Sequence, residues 1–248
     1  MTVTWEEVGW ERVAPGVGRC RLPGWDCTAG LVVGADAVLL VDAGSSLAEG
    51  ARLRAEAQAL TGRRVTHLAL THPHFDHVLG AAAFAGAEVF GAEGAEGADA
   101  APAYGREELR ADAVRHGLDA RAAQEAVDVL VRPHRTVRGE LALDLGPGGG
   151  RRVLLADVGP GHTAHDLAVL VPGDPGVVFC GDLVEESGEP QAGPDAVPSH
   201  WPAALDRLLK LGGEEARYVP GHGAVVDAAF VRAQRDALAA RFGVSHRS

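Results

Sequence analysis

Apolar residues fall into short unbroken runs that alternate with stretches whose apolar positions recur every three or four residues. Residues 16–22 and 27–34 flank a Pro23-Gly24 turn and read as paired strands. The run Ala37-Val38-Leu39-Leu40-Val41 is apolar throughout, as expected of a strand covered on both faces. It ends at Asp42-Ala43-Gly44, and Ser46 followed three residues later by Glu49 is a capping-box spacing. That spacing predicts a helix over 47–60. Residues 66–70 form the next predicted strand, 79–84 a short helix and 87–90 another strand. Alternation of this kind predicts a layered α/β fold.

Residues 98–134 interrupt the pattern. They are rich in Ala, Arg and Glu, with Leu109, Val114 and Leu118, then Ala122, Ala126 and Leu130, at helical spacing. Two helices are predicted, separated near Gly117, the second capped by Asp119. They read either as a surface cover over the core or as a lid. Strands resume at 140–145 and 151–158, joined by Pro147-Gly148-Gly149-Gly150. No helix follows that glycine run, so it reads as a hairpin turn and not as a phosphate cradle. Strands follow at 167–171 and 177–180, then a polar loop at 184–199. A helix over 201–211 carries Trp201, Leu205, Leu208 and Leu209 on one face, 217–219 is the last strand, and Asp227 caps a final helix. No linker divides the chain, which predicts a single domain over 1–248 with a helical insertion at 98–134.

Chemistry concentrates at Thr71-His72-Pro73-His74-Phe75-Asp76-His77, directly after the apolar Leu68-Ala69-Leu70. Pro73 blocks a simple helical continuation, so these side chains are expected on a turn at a strand end. Imidazole and carboxylate suit zinc, iron or manganese better than calcium or magnesium. The spacing allows His72 and His74 to serve one ion, and Asp76 and His77 a second. A lone histidine is usually packed or solvated; this density of ligand types is not explained that way. Further candidates follow later strands: His162 in Gly161-His162-Thr163, Asp182 in Gly181-Asp182, and His222 in Pro220-Gly221-His222-Gly223. Neighbouring glycines allow sharp turns and close backbone approach. Singly each is weak, and Asp182 reads equally well as a cap or turn residue. Together with the first cluster they supply five histidines and two aspartates.

Charge narrows the partners. The 248 residues carry a formal net charge of −11, which opposes binding to phosphate backbones and argues against a nucleic-acid partner. Cys20, Cys27 and Cys180 are odd in number and lack C-x-x-C spacing, so no disulfide framework is expected. The acidic N-terminus has no apolar signal region, and no run reaches membrane-spanning length. The expectation is a soluble, reduced, cytoplasmic protein with a small-molecule substrate and no membrane partner; nothing in the sequence bears on its oligomeric state.

The order H-x-H-x-D-H, G-H-T, G-D, P-G-H-G resembles the metallo-β-lactamase-fold hydrolase superfamily over nearly the whole chain. That resemblance implies a four-layer αββα sandwich with metals at one edge, between the sheets. It implies His72, His74 and His162 on the first ion, Asp76, His77 and His222 on the second, and Asp182 bridging. The implied cofactors are two Zn2+, with iron or manganese as substitutes. Water on such ions is acidified to near neutrality and attacks a carbonyl that the metal polarises. Asp76 is the expected catalytic residue, orienting the hydroxide. Asp42 reads either as an acceptor for a ligand imidazole N–H or as a turn residue.

The expected function is a binuclear zinc hydrolase acting on a small ester, lactone or thioester. The alternatives are a mononuclear iron persulfide dioxygenase-like enzyme, a β-lactamase and, last, a non-enzymatic metal-binding protein. Glyoxalase II-type thioesterases share all seven ligands, but the segment after His222 suffices for one helix only. The β-lactamases of the superfamily generally lack the bridging aspartate and are exported. Lactonases often use a tyrosine near the metals, for which Tyr104 is the candidate, Tyr218 lying in a predicted core strand. Cys180 is the rival nucleophile, expected on the same face as Asp182 but buried. His165, Asp166, His67, His116, His134, His200 and His246 are given no metal role. Substrate choice is expected to rest on 98–134 and 184–199, with Leu109, Val114 and Trp201 as lining residues.

Overall fold

The computed structural model describes residues 3–95, 105–146 and 150–244. The apolar runs pair into two sheets. The first contains β1 (Glu11–Ala14), β2 (Val17–Arg21), β3 (Thr28–Val33), β4 (Val38–Val41), β5 (His67–Ala69), β6 (Glu88–Ala92) and β7 (Arg135–Val137), in that spatial order. Helix α1 (Leu47–Thr61) follows β4, a single turn α2 (Phe75–Val78) follows β5, and α3 (Arg106–Arg115) and α4 (Ala120–Asp128) lie between β6 and β7. The second sheet is ordered β12-β11-β10-β9-β8, from β8 (Glu140–Asp144), β9 (Arg152–Asp157), β10 (Leu167–Val171), β11 (Val177–Glu185) and β12 (Arg217–His222). Helix α5 (Trp201–Gly212) links β11 to β12, and α6 (Ala228–Phe242) follows β12.

Strand periodicity sorts the core into layers. In β4, Leu39 and Val41 face the second sheet, while Val38 and Leu40 face α1, α3 and α4. In β11, Val177 and Phe179 face the first sheet, while Val178 and Cys180 pack with α5 and α6. The result is helices, sheet, sheet, helices: the αββα sandwich. Each sheet is antiparallel at first and ends in parallel pairs, β4-β5-β6-β7 and β11-β12. The parallel pairs β4-β5 and β11-β12 arise because α1 and α5 carry the chain back across, which brings strand C-termini to one edge.

Helix ends obey the capping chemistry. Ser46 accepts from Glu49 N at 3.2 Å, and the Glu49 carboxylate returns one residue further back than in a capping box, accepting from Ser45 N and Oγ. Asp119 caps α4 through Arg121 N and Ala122 N, and Asp227 caps α6 through Phe230 N at 2.9 Å. The unpredicted strands are β1 and β7. Both lie at the ends of the first sheet, and Glu11, Arg12, Arg135 and Thr136 are exposed, so hydrophobic patterning does not mark them. The strand expected at 177–180 continues to Glu185. Tyr104, His246 and the turn residues Pro147-Gly148-Gly149 lie outside the described residues. No helix among the described residues is long and apolar enough to cross a membrane.

Candidate metal centre

The seven ligand-type side chains singled out in the sequence converge at one edge of the sandwich. His72 and His74 lie in the extended segment after β5; Asp76 and His77 sit on α2, a helical turn that starts at Phe75, past Pro73. His162 lies between β9 and β10. Asp182 and His222 were expected in turns after strands. Instead Asp182 lies within β11 and His222 is the last residue of β12.

An irregularity in β11 makes that placement work. Gly181 has φ +54, and the pairing with β12 shifts register between Phe179 and Gly181 and again before Glu185. The face alternation is thereby broken. Cys180 packs into the α5/α6 cluster, while Asp182 turns to the histidines, so the two do not share a face as strand periodicity predicts. Gly221 completes the arrangement: a β-carbon there would overlap the Asp182 carboxylate.

Each histidine has one ring nitrogen committed to an outer partner and the other directed at the cluster. His72 Nδ1 meets Thr71 Oγ1 at 3.0 Å, His77 Nδ1 meets Asp42 Oδ2 at 2.9 Å, and His222 Nδ1 meets the Trp25 carbonyl at 2.8 Å. His162 Nδ1 meets the Gln191 carbonyl at 3.1 Å, and His74 Nε2 meets Asp195 Oδ2 at 3.0 Å. Outer partners of this kind fix tautomer and ring orientation. Asp42 is therefore an imidazole partner. It holds a left-handed φ of +59, which a non-glycine residue rarely adopts, while also accepting from Thr71 N and Oγ1, both at 2.8 Å.

Inward atoms form two groups that share Asp182. In the first, His162 Nε2 lies 3.0 Å from His74 Nδ1 and 3.5 Å from Asp182 Oδ2, which is 3.6 Å from His72 Nε2. In the second, His77 Nε2 lies 3.1 Å from Asp182 Oδ1 and 3.6 Å from Asp76 Oδ2. His222 Nε2 is 3.4 Å from Asp76 Oδ2 and 3.2 Å from Asp182 Oδ2. Four donors at 2.0–2.1 Å around a tetrahedral zinc are about 3.3 Å apart, so both groups have the right span. His72 Nε2 and Asp182 Oδ1 are buried and make no hydrogen bond, a costly state for polar atoms unless a cation meets them.

Electrostatics point the same way. Burial holds His72 well below its ordinary value and His162 down to about 4, leaving both with a free lone pair at neutral pH. Burial opposes charge on His222, yet Asp182 and Asp76 outweigh it and push the ring up to about 12. Burial also opposes ionisation of Asp182, but His77, His222 and His72 hold its carboxyl well below the usual range. The buried carboxylates thus favour nearby positive charge, which a metal ion could supply in place of protons.

The residues match this chemistry to a known family. Residues 22–222 fit the family model of the metallo-beta-lactamase superfamily. The chain belongs to the metallo-beta-lactamase superfamily. Its members are metal-dependent hydrolases, and solved metallo-β-lactamases share the fold. FIM-1 from Pseudomonas aeruginosa, solved in its mono-zinc form, matches with a TM-score of 0.68 at 19% identity, over 94% of this chain and 95% of that one. A metallo-β-lactamase from Pontibacter korlensis matches at 0.66 and 19% identity, over 92% and 97%. TMB-1 matches at 0.66 and 17%, over 94% and 97%. At such identities the likeness is one of fold. No curated protein matches the chain by sequence.

Several residues at this superfamily site carried no sequence pattern. Cys27 donates its thiol to the Asp76 carbonyl at 3.1 Å and lies 3.6 Å from His77 Nδ1, backing that ring. Its burial pushes the thiol up to about 12, so it stays neutral. Trp25 packs edge-on against Phe75, which stacks on His116 at the end of α3. Asp166 accepts from Thr163 N and Oγ1 and holds the turn that carries His162. Of the expected pocket-lining residues, Leu109 and Trp201 are buried in the core. Trp201 supports His162 from behind at 5.3 Å and donates to the Leu183 carbonyl. Val114 is exposed, and Tyr218 is a core residue whose hydroxyl donates to the Gly213 carbonyl.

Proposed function

We propose that this chain is a binuclear zinc hydrolase of small esters, lactones or thioesters. His72, His74 and His162 would hold one ion, Asp76, His77 and His222 the other, and Asp182 both. The observation that carries the reading is the convergence of seven ligand-type side chains into two groups that share the buried Asp182 carboxylate, one oxygen of which makes no hydrogen bond. Zinc held there would supply Lewis acidity, lowering the pKa of a bound water and polarising a substrate carbonyl. The chain's own part is orientation. Asp76 is the proposed catalytic residue, whose carboxylate would orient the attacking nucleophile. Asp42, Thr71 and the Trp25 carbonyl keep the imidazoles from rotating. Cys27, Cys20 and Cys180 are buried and unpaired, which suits a reducing cytoplasm.

A β-lactam is the second substrate class to test, because FIM-1 and the Pontibacter korlensis protein are named metallo-β-lactamases. The shared, bridging position of Asp182 favours esters and thioesters on the family resemblance. Protein purified without added metal, then reconstituted with zinc, should bind two equivalents and turn over a thioester, lactone or ester faster than a β-lactam. No more than trace metal after reconstitution would end the zinc reading. A dominant β-lactamase rate would replace the substrate class.

A further inference from the structure

The outer partners of the first donor group come from an unexpected place. His72 is held by its neighbour Thr71, but His74 and His162 are both held by the loop between β11 and α5. Asp195 reaches His74 Nε2 at 3.0 Å, and the Gln191 carbonyl reaches His162 Nδ1 at 3.1 Å. The loop is tied down on either side of these contacts. Arg241 of α6 donates to the Pro190 carbonyl at 2.8 Å, and Val197 N donates to the Gly161 carbonyl, beside His162, at 2.9 Å. An imidazole whose Nε2–H is given to a carboxylate presents its Nδ1 lone pair, and His74 Nδ1 is the atom turned towards His162 Nε2.

We propose that the loop over residues 186–200 is part of the metal centre, with Asp195 as the positioning residue that holds His74 in its ligating tautomer. Zinc binding to the His72/His74/His162 group and docking of the loop then stabilise each other, since coupling between two events is reciprocal. The order of this loop thereby reports metal occupancy. This inference rests on the zinc reading above.

Zinc titrations against a competing chelator, on the full chain, test it in the wild type and in Asp195→Ala, Asp195→Asn, His74→Ala and the Asp195→Ala/His74→Ala pair. Asp195→Ala should weaken one zinc equivalent about 10–100-fold and leave the other unchanged, the usual effect of losing such a partner. Asp195→Asn, which keeps an acceptor, should lose less. In the His74→Ala background Asp195→Ala should add nothing. Hydrogen exchange over 186–200 should slow on zinc addition in the wild type and respond less in Asp195→Ala. Wild-type affinity at both sites in Asp195→Ala overturns the proposal, as does an equal loss in the His74→Ala background, or exchange in the loop indifferent to zinc. A wild-type chain that takes up no zinc refutes the metal reading itself and this inference with it.

Discussion

Gly221 is held to glycine by its neighbour: the volume a side chain would need belongs to the Asp182 carboxylate. Gly221→Ala should therefore fold, because the clash is local to the edge of the sandwich, yet bind less than one zinc equivalent; full binding would show that Asp182 can move aside. Asp166 tests a different quantity. Burial pushes its carboxyl up to about 7 from an ordinary 3.8, despite the hydrogen bonds from Thr163 that favour the anion. The folded chain then keeps a proton between about pH 4 and 7 that the unfolded chain has lost. This contribution to stability is complete below about pH 4 and is lost as pH rises through 7. With zinc chelated, the melting temperature of Asp166→Asn relative to wild type should rise between pH 5 and pH 8. A difference that stays flat would mean that Asp166 is ionised throughout. Cys180 packs under α5 and α6, away from Asp182, so as the rival nucleophile it is expected to be dispensable, and Cys180→Ala should keep most activity. Asp76→Ala should lose about 10²–10⁴-fold in kcat/KM, the range for a positioned proton acceptor.

The helical pair α3–α4 covers the first sheet, and its tip comes close to the site. Leu109, Ala113, Ala123, Ala126 and Val127 are buried in the cluster that covers the first sheet, so the pair is a structural cover. Its tip is also close to the site, because His116 stacks on Phe75 at 5.5 Å, next to Asp76. Deleting the pair would uncover the sheet, so the sharper test is His116→Ala. That variant should change KM or substrate ranking several-fold with two zinc ions still bound; unchanged kinetics on every substrate would leave the pair a cover alone. What patterning revealed follows from this division. Buried strands, capped helices and the ligand motifs were legible because period, cap chemistry and residue type are local properties. The exposed end strands β1 and β7 have no such period. The path of β11 past Cys180 depends on one left-handed glycine, which looks in sequence like the end of a strand. Asp195, Gln191 and the Trp25 carbonyl act on histidines 29 to 197 residues away, two of them through backbone oxygens, and no spacing encodes such contacts.

At the scale of the whole molecule the proposed ions are cross-links between the sheets. His72, His74, Asp76 and His77 come from the end of β5 in the first sheet; His162, Asp182 and His222 come from the second. Each donor group draws on both, so neither proposed ion would be held by one sheet alone. The apolar layer between the sheets, with Leu39, Val41, Phe90, Leu155, Val169 and Phe179 buried in it, joins them without help from metal. Metal removal should accordingly leave the protein folded but less stable. A ligand that binds only the folded state at 100 times its Kd adds about 2.7 kcal/mol, or about 5–10 °C in melting temperature for a chain of this size. Chelation should lower the melting temperature by at least that much with little change in far-UV circular dichroism, and zinc should restore it. The pattern across variants is the stricter test. Asp182 faces both groups, so Asp182→Ala should abolish most of the zinc-dependent gain, whereas His162→Ala should remove only one ion's share. Equal gains in wild type and Asp182→Ala would mean that zinc binds without joining the sheets at this edge, and the shared-carboxylate arrangement would have to be abandoned.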